Sequence, residues 1–176
     1  MIIEIGSDFH SMELEKKVNE NIFDYLDNFN AAYYDSGRSA LKALLTYIPS
    51  NRVLLPEYIC ESVRDCFGTS EVHYYKMDNN LNICWGDLLD KSKDNINILY
   101  LHFFNGYIDP SYNFEELKKL RKKYKFTIIE DTTHSIFTNK NVLGDYCVCS
   151  LRKWFPVPDG GVLYSGKKIL LSEYVE

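Results

Sequence analysis

With 176 residues, 45% apolar and 15% aromatic, the chain suits one globular domain with a substantial core and is too short for two ordinary ones. A net charge of −5 supplies no basic field for a phosphate backbone, which argues against nucleic acid as a partner; the lysine-rich run Lys118–Lys125 reads as the wet face of a helix. No segment approaches a long uncharged apolar run, and MIIEIGSDFHSMELEKK lacks a charged stretch followed by an apolar one, so no membrane association and a cytoplasmic location are expected.

In chain order, helices are expected at Met12–Asp27, Gly37–Tyr47, Tyr58–Phe67 and Phe114–Tyr124. Strands are expected at Arg52–Leu55, Val72–Lys76, Asn97–Phe103, Phe126–Glu130, Tyr146–Leu151 and Gly161–Tyr164. From about residue 36 the two kinds alternate, and several strands are apolar on both faces. That rhythm predicts an α/β fold with a mostly parallel central sheet flanked by helices. No repeat or linker divides the chain, and FNGYIDPSYN is the longest turn-rich segment. The five cysteines are odd in number and form no C-x-x-C pair, so reduced, mostly buried thiols are expected, with no metal site and no disulfide framework.

Three segments carry candidate chemistry. Asp35-Ser36-Gly37-Arg38-Ser39 opens a helix with small polar residues, and its free backbone N–H groups at the positive end of the dipole suit either a simple N-cap or a phosphate. Asp131 leaves the apolar run FTIIED at the carboxyl end of a strand, the edge where open α/β sheets place ligands, and His134 follows three residues later. Lys153 stands between Arg152 and Trp154-Phe155, where a neighbouring charge and apolar packing favour the neutral amine; a lysine lying over aromatic rings is the plain alternative. Gly160-Gly161 then suits positive φ or close backbone approach.

In their order, SGRSAL, LLPEYIC, IIEDTTHS and SLRKWFPVPDGG resemble the motifs of the DegT/DnrJ/StrS family of sugar aminotransferases, which are fold-type I pyridoxal-phosphate enzymes. The resemblance runs from about Ile3 to Ser165, with the lysine seven and eight residues before the paired glycines. It implies pyridoxal 5'-phosphate (PLP) as cofactor, with Gly37, Arg38 and Ser39 on its phosphate and Ser150 contributing there. Asp131 would pair with the pyridine nitrogen, His134 would lie near the ring hydroxyl, and Lys153 would be the Schiff-base lysine and the acid and base of catalysis. The aromatic residue that stacks on the ring in the family falls at Cys60, with Tyr58 two residues earlier.

The resemblance further implies amino transfer from a small-molecule donor to a keto-sugar, in polysaccharide or secondary-metabolite biosynthesis, and a homodimer. Family members are about twice as long, so residues 1–176 are expected to form one cofactor-binding large domain, truncated before the small domain. The alternative is a non-catalytic remnant or interaction module that keeps the fold. A sugar dehydratase on the same scaffold replaces the lysine by histidine, and Lys153 argues against it.

Overall fold

The computed structural model describes residue 26 and residues 28–137 and 141–166. The helix expected at Met12–Asp27 lies outside these apart from Leu26, which is helical and buried.

Seven strands form one sheet: β1 (Asn30–Tyr34), β2 (Arg52–Pro56), β3 (Glu71–Tyr75), β4 (Ile98–His102), β5 (Thr127–Asp131), β6 (Tyr146–Ser150) and β7 (Gly161–Ser165). Their spatial order is β1-β7-β6-β5-β4-β2-β3. From β3 to β6 all neighbours are parallel, while β7 runs antiparallel to both β6 and β1. The expected mostly parallel α/β fold is therefore present. Among the described residues after Leu26, the α-helices are α1 (Gly37–Leu45), α2 (Glu61–Arg64), α3 (Trp85–Lys91) and α4 (Phe114–Tyr124).

Period-two alternation divides each strand between two cores. Ile98, Tyr100, Ile129, Val148 and Leu163 pack on the face covered by α1, with Ala40, Leu41 and Leu44. Leu99, Leu101, Ile128 and Leu54 pack on the other face with Leu88 of α3 and Leu117 of α4. A third cluster, including Cys147, Cys149, Val162 and Tyr164, lies towards the β1 side. Strands buried on both faces show no polar alternation, as the sequence of β4 and its fully buried pattern illustrate.

All six expected strands form, with no end displaced by more than one residue. β1 escapes the sequence because it is a short edge strand, NAAYY, whose two alanines give little alternation. α3 escapes because it has seven residues and contains Gly86; its place is fixed by burial of Leu88 and Leu89. The helix expected at Tyr58–Phe67 contracts to α2 and a 3-10 turn at Asp65–Phe67, because Cys60 is extended and its side chain makes no cap hydrogen bond. The cysteines are less uniformly buried than expected: Cys147 and Cys149 are buried, Cys66 and Cys84 half-buried and Cys60 exposed. Among the described residues no helix is long and apolar enough to cross a membrane.

Candidate functional site

A parallel sheet brings the carboxyl ends of β4, β5 and β6 to one edge, and on the α1 face those ends carry His102, Asp131 and Ser150. The pairing is direct, since His102 is the register partner of Asp131. A cavity of about 550 Å³ opens there, and Gly37, Arg38, Asp131, His134, Ser150 and Lys153 all line it. Ser39 is not among the lining residues; it stands behind Ser36, which does line the cavity.

Ser36 caps α1 from an extended conformation, its hydroxyl accepting from Ser39 N at 3.2 Å and lying 2.9 Å from Ser39 Oγ. The next N–H groups, of Gly37 and Arg38, belong to the helix's first turn and have no intrahelical acceptor. Gly37 suits the close approach to β6: a β-carbon there would lie 3.2 Å from Ser150 Cβ, so Ser150 would have to give by a few tenths of an ångström. The start of α1 and Ser150 are thus pressed together, 113 residues apart in sequence by subtraction of 37 from 150.

The paired glycines do what the sequence suggests. Gly160 has φ of +116° and donates its N–H to Asp35 O at 2.6 Å, while Gly161 runs so close to Ser36 that it has no room for a side chain. This backbone contact ties the segment that carries Lys153 to the start of α1. Lys153 itself ends a 3-10 turn, Leu151–Lys153, immediately after β6.

Asp131 receives three donors from the protein. The Tyr100 hydroxyl donates to Oδ2 at 2.7 Å and the Thr133 N–H to Oδ1 at 2.9 Å. His102 Nδ1 lies 3.2 Å from the Asp131 carbonyl oxygen and 3.6 Å from Oδ2; both oxygens only accept, so that nitrogen carries the hydrogen. His134 accepts the Asn105 N–H on Nδ1 at 3.3 Å, which leaves its hydrogen on Nε2. Burial, followed by the neighbouring His102, holds His134 below the usual histidine value, against the opposing pull of Asp131.

Sequence reasoning missed Tyr100, His102, Phe104 and Thr133. Thr133 is a hub: besides its bond to Asp131, its hydroxyl accepts Ser150 N at 3.1 Å and its carbonyl accepts Trp154 Nε1. The available signal was a tyrosine and a histidine two residues apart at the end of an otherwise aliphatic strand, ILYLH. Cys60, at the position expected to stack on a ring, lines the same cavity and its thiol lies 3.1 Å from Ser62 Oγ. Tyr58 and Phe104 also line it, with ring centroids 5.1 Å apart. His102, Phe104 and His134 form a continuous aromatic group, with His102–His134 centroids at 4.7 Å.

No protein-family model and no curated protein matches the sequence. Solved structures do match in fold. A DegT DnrJ EryC1 StrS aminotransferase from Brucella abortus superposes with a TM-score of 0.67 at 16% identity, over 82% of this chain and 43% of that one. GDP-4-keto-6-deoxymannose-3-dehydratase with bound GDP-perosamine gives 0.64 at 17%, over 83% and 44%. A PLP-bound protein from Clostridium difficile 630, provisionally described as an aminotransferase, gives 0.60 at 15%, over 77% and 41%. The chain has the fold of the large domain of fold-type I PLP-dependent aminotransferases, and spans less than half the length of each of these three structures.

Proposed function

We propose that the chain binds PLP in the cavity at the carboxyl edge of β4, β5 and β6 and serves as the cofactor domain of an aminotransferase. The observation that carries this reading is the convergence of Gly37, Arg38, Asp131, His134, Ser150 and Lys153 on one cavity from three separate segments. The residues fit the cofactor: first-turn N–H groups without an intrahelical acceptor and hydroxyls for a phosphate, a carboxylate for a ring nitrogen, and an amine for an aldehyde.

In this reading Gly37 and Arg38 bind the phosphate with Ser150 beside them, and Ser39 supports them from behind through its hydrogen bonds with Ser36. Asp131 would hold the proton of the ring nitrogen, and His134, with its hydrogen on Nε2, would lie near the ring hydroxyl. PLP, when bound, supplies an aldehyde and an electron-withdrawing ring that makes the Cα–H bond of an attached amino acid acidic. Lys153 would provide the amine that anchors the cofactor and would be the acid and base that holds a proton at the substrate carbon. Tyr58 and Phe104 supply an aromatic wall near Cys60.

The acceptor is a keto-sugar or nucleotide-linked keto-sugar, a choice supported by the motif resemblance and by the GDP-4-keto-6-deoxymannose-3-dehydratase among the structures of like fold. A homodimer belongs to the same reading, as the motif resemblance implies.

The test is the absorption spectrum of the purified chain with PLP, before and after borohydride, for wild type and Lys153→Ala. A visible band that borohydride fixes covalently in wild type alone supports the assignment; no band in wild type overturns it. An amino acid donor then discharges the band of an aminotransferase and leaves that of a non-catalytic binder unchanged.

A further inference from the structure

Tyr100 sits in the middle of β4 and is 1% exposed. Its ring packs in the α1-side core and meets Phe67 edge-on, with centroids 5.9 Å apart. A phenylalanine would fill that space equally well. The hydroxyl is the part that needs a reason, since a buried O–H without a partner is costly. Its acceptor is Asp131 Oδ2, at 2.7 Å.

Period two places Tyr100 and His102 on the same face of β4, and pairing with β5 sets His102 opposite Asp131. Tyr100 therefore reaches along the sheet to the strand-end carboxylate from below, while Thr133 N–H holds the other oxygen at 2.9 Å. A carboxylate held on both oxygens is fixed in rotation as well as position. Burial, and then the charge of Asp131, raise the Tyr100 hydroxyl well above its ordinary value, so it remains a donor throughout the neutral range.

We infer that Tyr100 is a positioning residue for Asp131, fixing the orientation in which that carboxylate receives the ring nitrogen of PLP; the inference rests on the cofactor reading above. It makes Tyr100 part of cofactor discrimination although it belongs to the buried core.

The test compares the full chain with Tyr100→Phe, titrating each with PLP and with 1-deaza-PLP, which keeps the aldehyde and phosphate but lacks the ring nitrogen. Wild type should prefer PLP. Tyr100→Phe should bind PLP roughly tenfold more weakly, the scale of one hydrogen bond to a charged group, and 1-deaza-PLP about as well as wild type does. In an Asp131→Ala background, which removes the acceptor, the same substitution should cost nothing further.

Equal loss for both ligands, no loss for either, or a further loss in the Asp131→Ala background would each overturn the positioning role and leave the cofactor reading standing. Failure of wild type to bind PLP overturns both. Circular dichroism and thermal midpoints of the variants separate these results from unfolding.

Discussion

Gly161 passes so close to the carbonyl carbon of Ser36 that no β-carbon fits between them. The contact joins β7 to the cap of α1, and with them the two segments that carry Lys153 and the candidate phosphate-binding residues. It lies backbone against backbone, so no flexible side chain is available to move aside.

Gly161→Ala is therefore expected to destabilise the fold by about 3 kcal/mol, the upper range for overpacking. Urea denaturation checks this, with Gly86→Ala as the control at a glycine that has open space around it and no positive φ, where no loss is expected.

Thr133 links β5, β6 and the turn that follows. Thr133→Val keeps its shape and removes the acceptor of the Ser150 N–H, a bond of 3.1 Å in a part-buried position. A loss of about 1–2 kcal/mol in chemical denaturation is expected. Thr133→Ser, which retains the hydroxyl, should recover most of it.

His134 is held below the usual value of 6.5 by burial first and then by His102 and Lys153. Its folded-state value is depressed, so below about pH 6.5 the unfolded chain takes up a proton that the folded chain resists. The contribution is present above that pH and is lost as the pH falls towards the folded-state value. In melts across this window, wild type should lose stability faster on acidification than His134→Gln; parallel profiles would show that the ring does not titrate with folding.

Cys60 is exposed in the cavity, and hydrogen bonding from Ser62, with the charge of Lys153 adding to it, lowers its thiol. Cys147 and Cys149 are buried, and burial raises both. Ellman's reagent should label Cys60 first, Cys60→Ser should remove that fastest phase, and Cys147 and Cys149 should react only on unfolding. PLP bound in the cavity should slow the Cys60 phase several-fold; undiminished labelling at saturating PLP would place the cofactor elsewhere.

Much of the fold was legible because its signals are local. Strands such as VLLP and ILYLH are apolar on both faces, α4 alternates leucines with lysines at helical spacing, and the order of strands and helices predicts a parallel sheet. β1 and α3 were not legible, because an edge strand of NAAYY and a seven-residue helix containing glycine owe their structure to neighbours rather than to pattern. The role of Gly160 and Gly161 was legible as a need for unusual backbone, but not its object, Ser36.

The sequence by itself determined the chemical inventory: a phosphate-suited helix start at Gly37, an acid at a strand end in Asp131, a histidine in His134 and a lysine before two glycines. Only the tertiary structure decided that these share one cavity, since parallel strands bring segments from distant parts of the chain to the same edge. It also decided that Tyr100, His102 and Thr133 surround Asp131. Those contacts follow from strand register, which is set by the hydrogen bonds of β4 to β5 and of β5 to β6, and no local spacing in the chain encodes it.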